Sequence, residues 1–167
     1  MNRPGPLRAV RSIFRGIGQV MFQNSAWTGL LFLMGIFWGA YASGTPQVAW
    51  GALVGAVVST LTGWAMAQKK ADGLDGLWGF NGTLVGCAFP TFLGTTWLMW
   101  LCLILCAGLS TIVRRGFNHV MAPWKINSLT FPFVFTTWVF LLASRMLAGM
   151  PPIGEATPEL PGEVETA

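Results

Sequence analysis

Gln19, Asn81, Thr83, Thr130, Thr136 and Thr137 are the neutral polar side chains that interrupt otherwise apolar sequence. Their amides and hydroxyls can stand in for water around an uncharged polar solute, and they carry no charge with which to select an ion. From Gly16 to Gln68 there is no Asp, Glu, Lys, Arg or His, whereas an ion-coupled carrier usually keeps a carboxylate or histidine at membrane depth. Asp72 and Asp75 sit at the edge of an apolar run, His119 falls in a polar stretch, and Arg145 is near enough to a helix end to reach the interface. No paired carboxylates, activated Ser/His set or metal cluster is visible, so the reading is neither an enzyme nor a cofactor protein. Cys87, Cys102 and Cys106 lie in apolar runs without metal-ligand spacing. They read as small packing residues, with no disulfide and no zinc.

The elements that must position these groups are membrane helices. Hydrophobic residues make up 53% of the 167-residue chain and charged residues 10%, against about 25% charged in soluble domains. The net charge of +4 is not a nucleic-acid signature, because no aromatic residues interleave with the basic ones. Arg3, Arg8, Arg11 and Arg15 lie at the N-terminus, and Lys69, Lys70, Arg114 and Arg115 flank apolar runs. That placement suits membrane lipid head groups and topology selection. A signal peptide is not expected, since Gly16, Gly18, Gln19, Gln23 and Asn24 break the apolar run after the arginines and no clean cleavage site follows.

A span takes about 20 mostly apolar residues. Residues 26–42, 47–68, 92–113 and 127–148 meet that need, the third ended by Arg114 and Arg115 and the fourth carrying Pro132 near its start. Pro46 follows a Ser43–Gly44–Thr45 turn and suits the first turn of the second span. Trp27, Trp50, Trp64, Trp97, Trp124 and Trp138 fall mostly near span ends, as an interfacial belt requires. Residues 7–24 are amphipathic. Residues 73–90 are too glycine-rich for a lipid-facing helix and too apolar for a solvated loop, which marks broken or re-entrant backbone buried in protein or lining a cavity. The expected architecture is an all-α membrane protein of about five transmembrane helices plus a re-entrant or broken half-helix. Residues 1–150 form one transmembrane domain. Residues 151–167, with four prolines and four glutamates, form a disordered acidic tail.

Each polar group also has a plainer reading. Gln19 suits a hydrogen bond between helices, and Thr130 suits the carbonyls freed by Pro132. Phe22, Phe131 and Phe133 suit packing or lipid contact. Gly35, Gly39, Gly51 and Gly55 suit close helix approach. The residues by themselves lead to a neutral-solute channel or a packing subunit.

Three stretches resemble the urea transporter (urea channel) family, in family order and over roughly residues 15–148. They are Arg15-Gly-Ile-Gly-Gln-Val-Met-Phe-Gln-Asn24, the segment from Gly73 through Gly79-Phe-Asn81-Gly-Thr-Leu-Val-Gly86, and Leu129-Thr-Phe-Pro-Phe133. The second departs from the family pattern by an insertion between Gly76 and Gly79. The resemblance implies a narrow passive pore for urea, with a ladder of oxygens beside aromatic and apolar slots. Carried over by position, Gln19 and Thr130 supply oxygens, Val20, Phe22 and Leu84 form the slot, and Asn81, Phe131 and Pro132 support it. Broken helices would aim N-terminal N–H groups at the urea carbonyl. An ion would lose its hydration there without a charged replacement.

Family members usually contain two inverted halves, and this chain resembles one repeat of the fold. The resemblance therefore implies a second, inverted copy, as an antiparallel homodimer or three such pairs. The alternatives are a non-transporting or partner-dependent half, and a channel for ammonia, water or short amides. The expected layout puts Arg3, Arg8, Arg11, Arg15, Lys69 and Lys70 on one side with Arg145, and Arg114, Arg115 and Lys125 on the other. That bias mildly favours a cytoplasmic N-terminus in a bacterial inner membrane.

Overall fold

The computed structural model describes residues 5–66, 70–146 and 149–153. Arg3, Lys69 and residues 154–167 of the expected tail lie outside them. The helices are α1 (Pro6–Gln19), α2 (Ala26–Ala42), α3 (Pro46–Ala65), α4 (Lys70–Leu74), α5 (Phe80–Phe92), α6 (Trp97–Met121) and α7 (Phe131–Ser144), with a 3₁₀ turn at Ala122–Trp124. The fold is all-α, and among the described residues the one β-type pairing is an isolated bridge between Leu93 and Pro152.

Local chemistry sets the helix boundaries. Ser25 Oγ accepts from the Thr28 amide at 3.3 Å and starts α2. Pro46 occupies the first turn of α3, where its missing N–H costs nothing. Thr96 Oγ1 accepts from the Met99 amide at 3.2 Å, so α6 begins at Trp97 and not at residue 92 as the hydropathy suggests. Nor does α6 stop at Arg114 and Arg115, because Arg114 packs inward over the Phe80 ring and the helix continues to Met121. Two helices, α3 and α6 with the turn that continues it, are long and apolar enough to cross a membrane. The apolar helices α2 and α7 are shorter.

At 13 residues, α5 is about 20 Å long, well short of a roughly 30 Å hydrocarbon core. It is the broken half-helix. It packs antiparallel to α3 along glycines, where a Cβ on Gly51 would meet the Gly86 carbonyl and one on Gly55 would meet the Gly82 carbonyl. Small residues of this kind let backbones touch. By contrast, Gly35 and Gly39 in α2 face open space, which corrects the close-approach reading for those two. The main core joins Val85 and Phe89 of α5 to Met99, Leu103 and Cys106 of α6, with Phe140 of α7 against it.

These contacts fix the direction of each element. The Arg115 guanidinium donates to the Met66 carbonyl at 3.4 Å, so the end of α3 lies level with Arg115, short of the end of α6 at Met121. Gly79 lies beside Thr60, and Gly86 beside Gly51, so α5 begins part-way down α3 and runs to the opposite end. Asn81 meets Leu129 and Phe133 while Phe89 meets Phe140, so α7 starts level with α5 and runs the same way. The end that holds Met66 therefore also holds Arg114, Arg115, His119 and Lys125, and Ser12 of α1 reaches Gly73 there. Arg145 follows α7 at the other end, where the Thr96 hydroxyl donates to the Gly149 carbonyl. The expected charge layout is corrected on both counts: Arg114, Arg115 and Lys125 share the end of Met66 and Asp72, and Arg145 does not. At Arg145's end the chain from Pro151 to Ile153 is held by backbone bonds from Gly94 N to Pro151 O (2.8 Å) and from Ile153 N to Phe92 O (2.9 Å).

Candidate functional site

One face of α1 grips the glycine-rich turn between α4 and α5. Ser12 Oγ donates to the Gly73 carbonyl, Arg15 to Leu74 O at 2.9 Å, and Gln19 Nε2 to Asp75 O at 3.0 Å. Successive turns of one helix face thus take three consecutive carbonyls. Asn24 donates to the Asp75 carboxylate at 3.0 Å, and Arg15 pairs with it at 3.7 Å. The turn is tight because Gly76 has φ +77°, and a Cβ there would strike the Gly16 amide. The Trp78 indole fills the space left by Gly63 and Gly73.

The segment so held begins α5 beside α7. Asn81 is 1% exposed. Its Nδ2 donates to Leu129 O and its Oδ1 accepts from the Phe133 amide, both at 3.2 Å. The first turn of α7 is then fully occupied: Phe131 N–H goes to Ser128 O, Phe133 to Asn81, Val134 to Thr130 O, and Pro132 has no N–H. The expectation that broken helices present N–H groups to a solute is corrected for α7. At α5 the amides of Phe80, Asn81 and Gly82 have no hydrogen-bond partner among the described residues.

A cavity of about 240 Å³ opens where these pieces meet, lined by Gln19, Phe22, Leu77, Phe80 and Leu129 and, on its polar side, by Asp72, Arg114, Asn118 and Asn127. It adjoins a wider one of about 930 Å³ to which Arg114, Arg115, His119 and Lys125 contribute. Gln19 spends its Nε2 on Asp75, while nothing among the described residues donates to its Oε1. Phe22 (φ 56°) and Leu129 (φ 45°) both hold left-handed backbone, which costs on the order of 1–3 kcal/mol per residue and concentrates at functional sites. Both are exposed, Phe22 at 67% and Leu129 at 52%.

Of the residues expected to line a pore, Gln19 and Phe22 share this cavity. Val20 is half-buried at the end of α1, with its N–H on Ile17 O; Leu84 is half-buried on α5; Thr130 is half-buried at the start of α7, and its hydroxyl bonds to no described residue. None of these three borders either cavity. Phe131 stacks with Phe135 and meets Phe117 edge-on at 4.7 Å, on an exposed face of α7. Thr83, Thr136 and Thr137 are buried, with Thr83 and Thr136 bonded to carbonyls of their own chain turn and Thr137 beside the Cys106 thiol. Reading the sequence missed Arg114, Phe80, Leu129 and Asn118. The Arg114–Arg115 pair held the signal, because adjacent residues on a helix point about 100° apart, so one of the two faces inward.

The fold is thus a helical bundle in which two short helices, α5 and α7, begin beside a polar cavity. Over residues 10–167 the chain matches the model of the urea transporter family, and it belongs to that family. It is 31% identical to urea transporter 1 of Ovis aries and of Capra hircus, and 29% identical to that of Rattus norvegicus. Each match covers 81% of this chain and 34% of the relative. The chain thus spans about a third of the length of these relatives.

Proposed function

We propose that this chain provides one half of a passive pathway for urea. The observation that carries the reading is the Gln19 side chain, anchored by its nitrogen and with its oxygen unpaired beside Phe22 and Phe80. Urea is flat, neutral and rich in N–H donors. An anchored amide oxygen accepts one of those hydrogens, the phenyl faces accompany the planar molecule, and the unpaired amides at the start of α5 suit its carbonyl oxygen. Membership of the urea transporter family supports the same solute over ammonia, water or short amides. Val20, Leu84 and Thr130 belong to this proposal as parts of the lining that a second half completes.

The exposure of Phe22, Leu129 and Phe131 supports completion by another half, inverted so that the two cavities meet. A second copy of the chain in antiparallel pairing, and a trimer of such pairs, is the first form of this reading. The corrected charge layout favours a second form. Arg8, Arg11, Arg15, Arg114, Arg115 and Lys125 crowd one end and Arg145 stands at the other, a bias that sets one orientation. The complementary half would then carry its basic residues at the opposite end.

Stopped-flow urea flux in liposomes holding the purified chain tests the activity, and Gln19→Leu should lower that flux. Flux equal to that of empty liposomes would sink the self-sufficient form. Labelling of both termini from each side of the membrane separates the two forms: mixed orientation supports the copy, and a single orientation supports the distinct half.

A further inference from the structure

Arg114 is 7% exposed and has neither a hydrogen bond nor an ion pair among the described residues. Its guanidinium carbon lies 5.6 Å from the centroid of the Phe80 ring. Asp72 lines the same cavities but stands beyond ion-pair distance. Arg114, Asp72, Asn118 and Asn127 are shared by the wide outer cavity and the narrow inner one, which puts Arg114 at the junction between them. An arginine stays charged at any accessible pH. Leaving one without a carboxylate partner in a nearly buried position is costly, and the local packing asks only for the face of its guanidinium on Phe80.

We propose that Arg114 is the charge filter of this pathway, passing neutral planar solutes and turning back cations of the same shape. The proposal rests on the reading of the chain as a urea pathway and names its specificity determinant. The guanidinium offers several N–H donors to a carbonyl oxygen entering from the outer cavity, so urea meets a hydrogen-bond donor there. A cation meets a positive charge that Asp72 offsets only from beyond ion-pair distance, in a cavity where repulsion is far stronger than in bulk water. A fixed arginine used in this way is a known device for excluding cations from pores. Arg115 and Lys125 around the outer cavity, against the single acid Asp72, add to the same field.

Guanidinium is the deciding probe, because it matches urea in size and planarity and differs in charge. Fluxes of urea and of guanidinium are measured in liposomes holding the full chain as wild type, Arg114→Gln, Arg114→Lys and Asn118→Asp. Asn118→Asp leaves Arg114 in place and sets a negative charge in the same cavity wall. It also keeps the oxygen that accepts from Ser128 N (2.8 Å) and Ser128 Oγ (2.7 Å), so it remains informative if Arg114→Gln fails to fold. The guanidinium-to-urea flux ratio should rise at least about tenfold in Arg114→Gln and in Asn118→Asp, as loss of a nearby charge interaction predicts, and stay at the wild-type value in Arg114→Lys. A ratio unmoved in Asn118→Asp, with urea flux still measurable, overturns the filter and leaves the urea reading standing. A wild-type chain that passes no urea overturns the urea reading itself, and the filter with it.

Discussion

Asn81 holds Leu129 in place: its amide nitrogen donates to the Leu129 carbonyl at 3.2 Å while its oxygen takes the Phe133 N–H. One buried side chain thus joins the start of α5 to the start of α7 and sets the width of the gap between them. Asn81→Ala should leave the half-buried Leu129 carbonyl and Phe133 amide without their partners, at about 1 kcal/mol each. The expected outcome is a clear fall in melting temperature in detergent together with loss of urea flux. Asn81→Asp keeps an acceptor for Phe133 but turns a buried, unpartnered carboxylate toward the Leu129 carbonyl, and should be at least as destabilised as Asn81→Ala.

Gln19 and Thr130 should respond differently. The Gln19 amide anchors the Asp75 carbonyl, so Gln19→Leu should lower both thermal stability, by about 1 kcal/mol, and urea flux. The Thr130 hydroxyl bonds to no described residue, so Thr130→Val should leave the melting curve unchanged and reduce flux alone. Equal stability losses in the two variants would contradict this division.

Leu129 occupies left-handed backbone with its side chain half in the open. Leu129→Gly removes a conformational cost of about 1–2 kcal/mol and discards a wall of the cavity. The variant should unfold at higher denaturant concentration and conduct less urea. Gains in both stability and flux would mean that the left-handed turn has no part in the pathway.

Glycines in this chain divide by what surrounds them. Gly55→Ala would drive a methyl group into the Gly82 carbonyl, and overpacking of that kind costs about 1–3 kcal/mol. Gly39→Ala meets open space and should raise helix stability by up to about 1 kcal/mol. Thermal unfolding of the two purified variants side by side checks the contrast.

The membrane-helix class and α2 were legible in the sequence because long apolar runs and an absence of charge depend on composition alone. The break between residues 73 and 90 was legible too, since glycine density marks it. The lengths of α5 and α7 were not. Pro90 sits inside α5 and Pro132 in the first turn of α7, and the residues packed against these stretches, Gly51 and Asn81, are distant in the chain. Arg114 was hidden for a similar reason. Beside Arg115 it looks like a helix-terminating pair at the interface, and its partner ring, Phe80, belongs to another helix. The match to the family reached Gln19 and Phe22, which share a cavity, while the placement of Val20, Leu84 and Thr130 depends on surfaces that this chain leaves open.

Where α3 meets α5 at Gly51–Gly86 and Gly55–Gly82, main chain lies directly on main chain. No side chain stands between them to change rotamer, so the joint has no hinge and no play. Mechanically the two helices form one stiff bar, with the unpaired amides of α5 mounted on it. Any widening or narrowing of the cavity then falls to its other walls, among them the connection from Ala122 to Thr130, which is fastened by Asn118 and Asn81 among the side chains described.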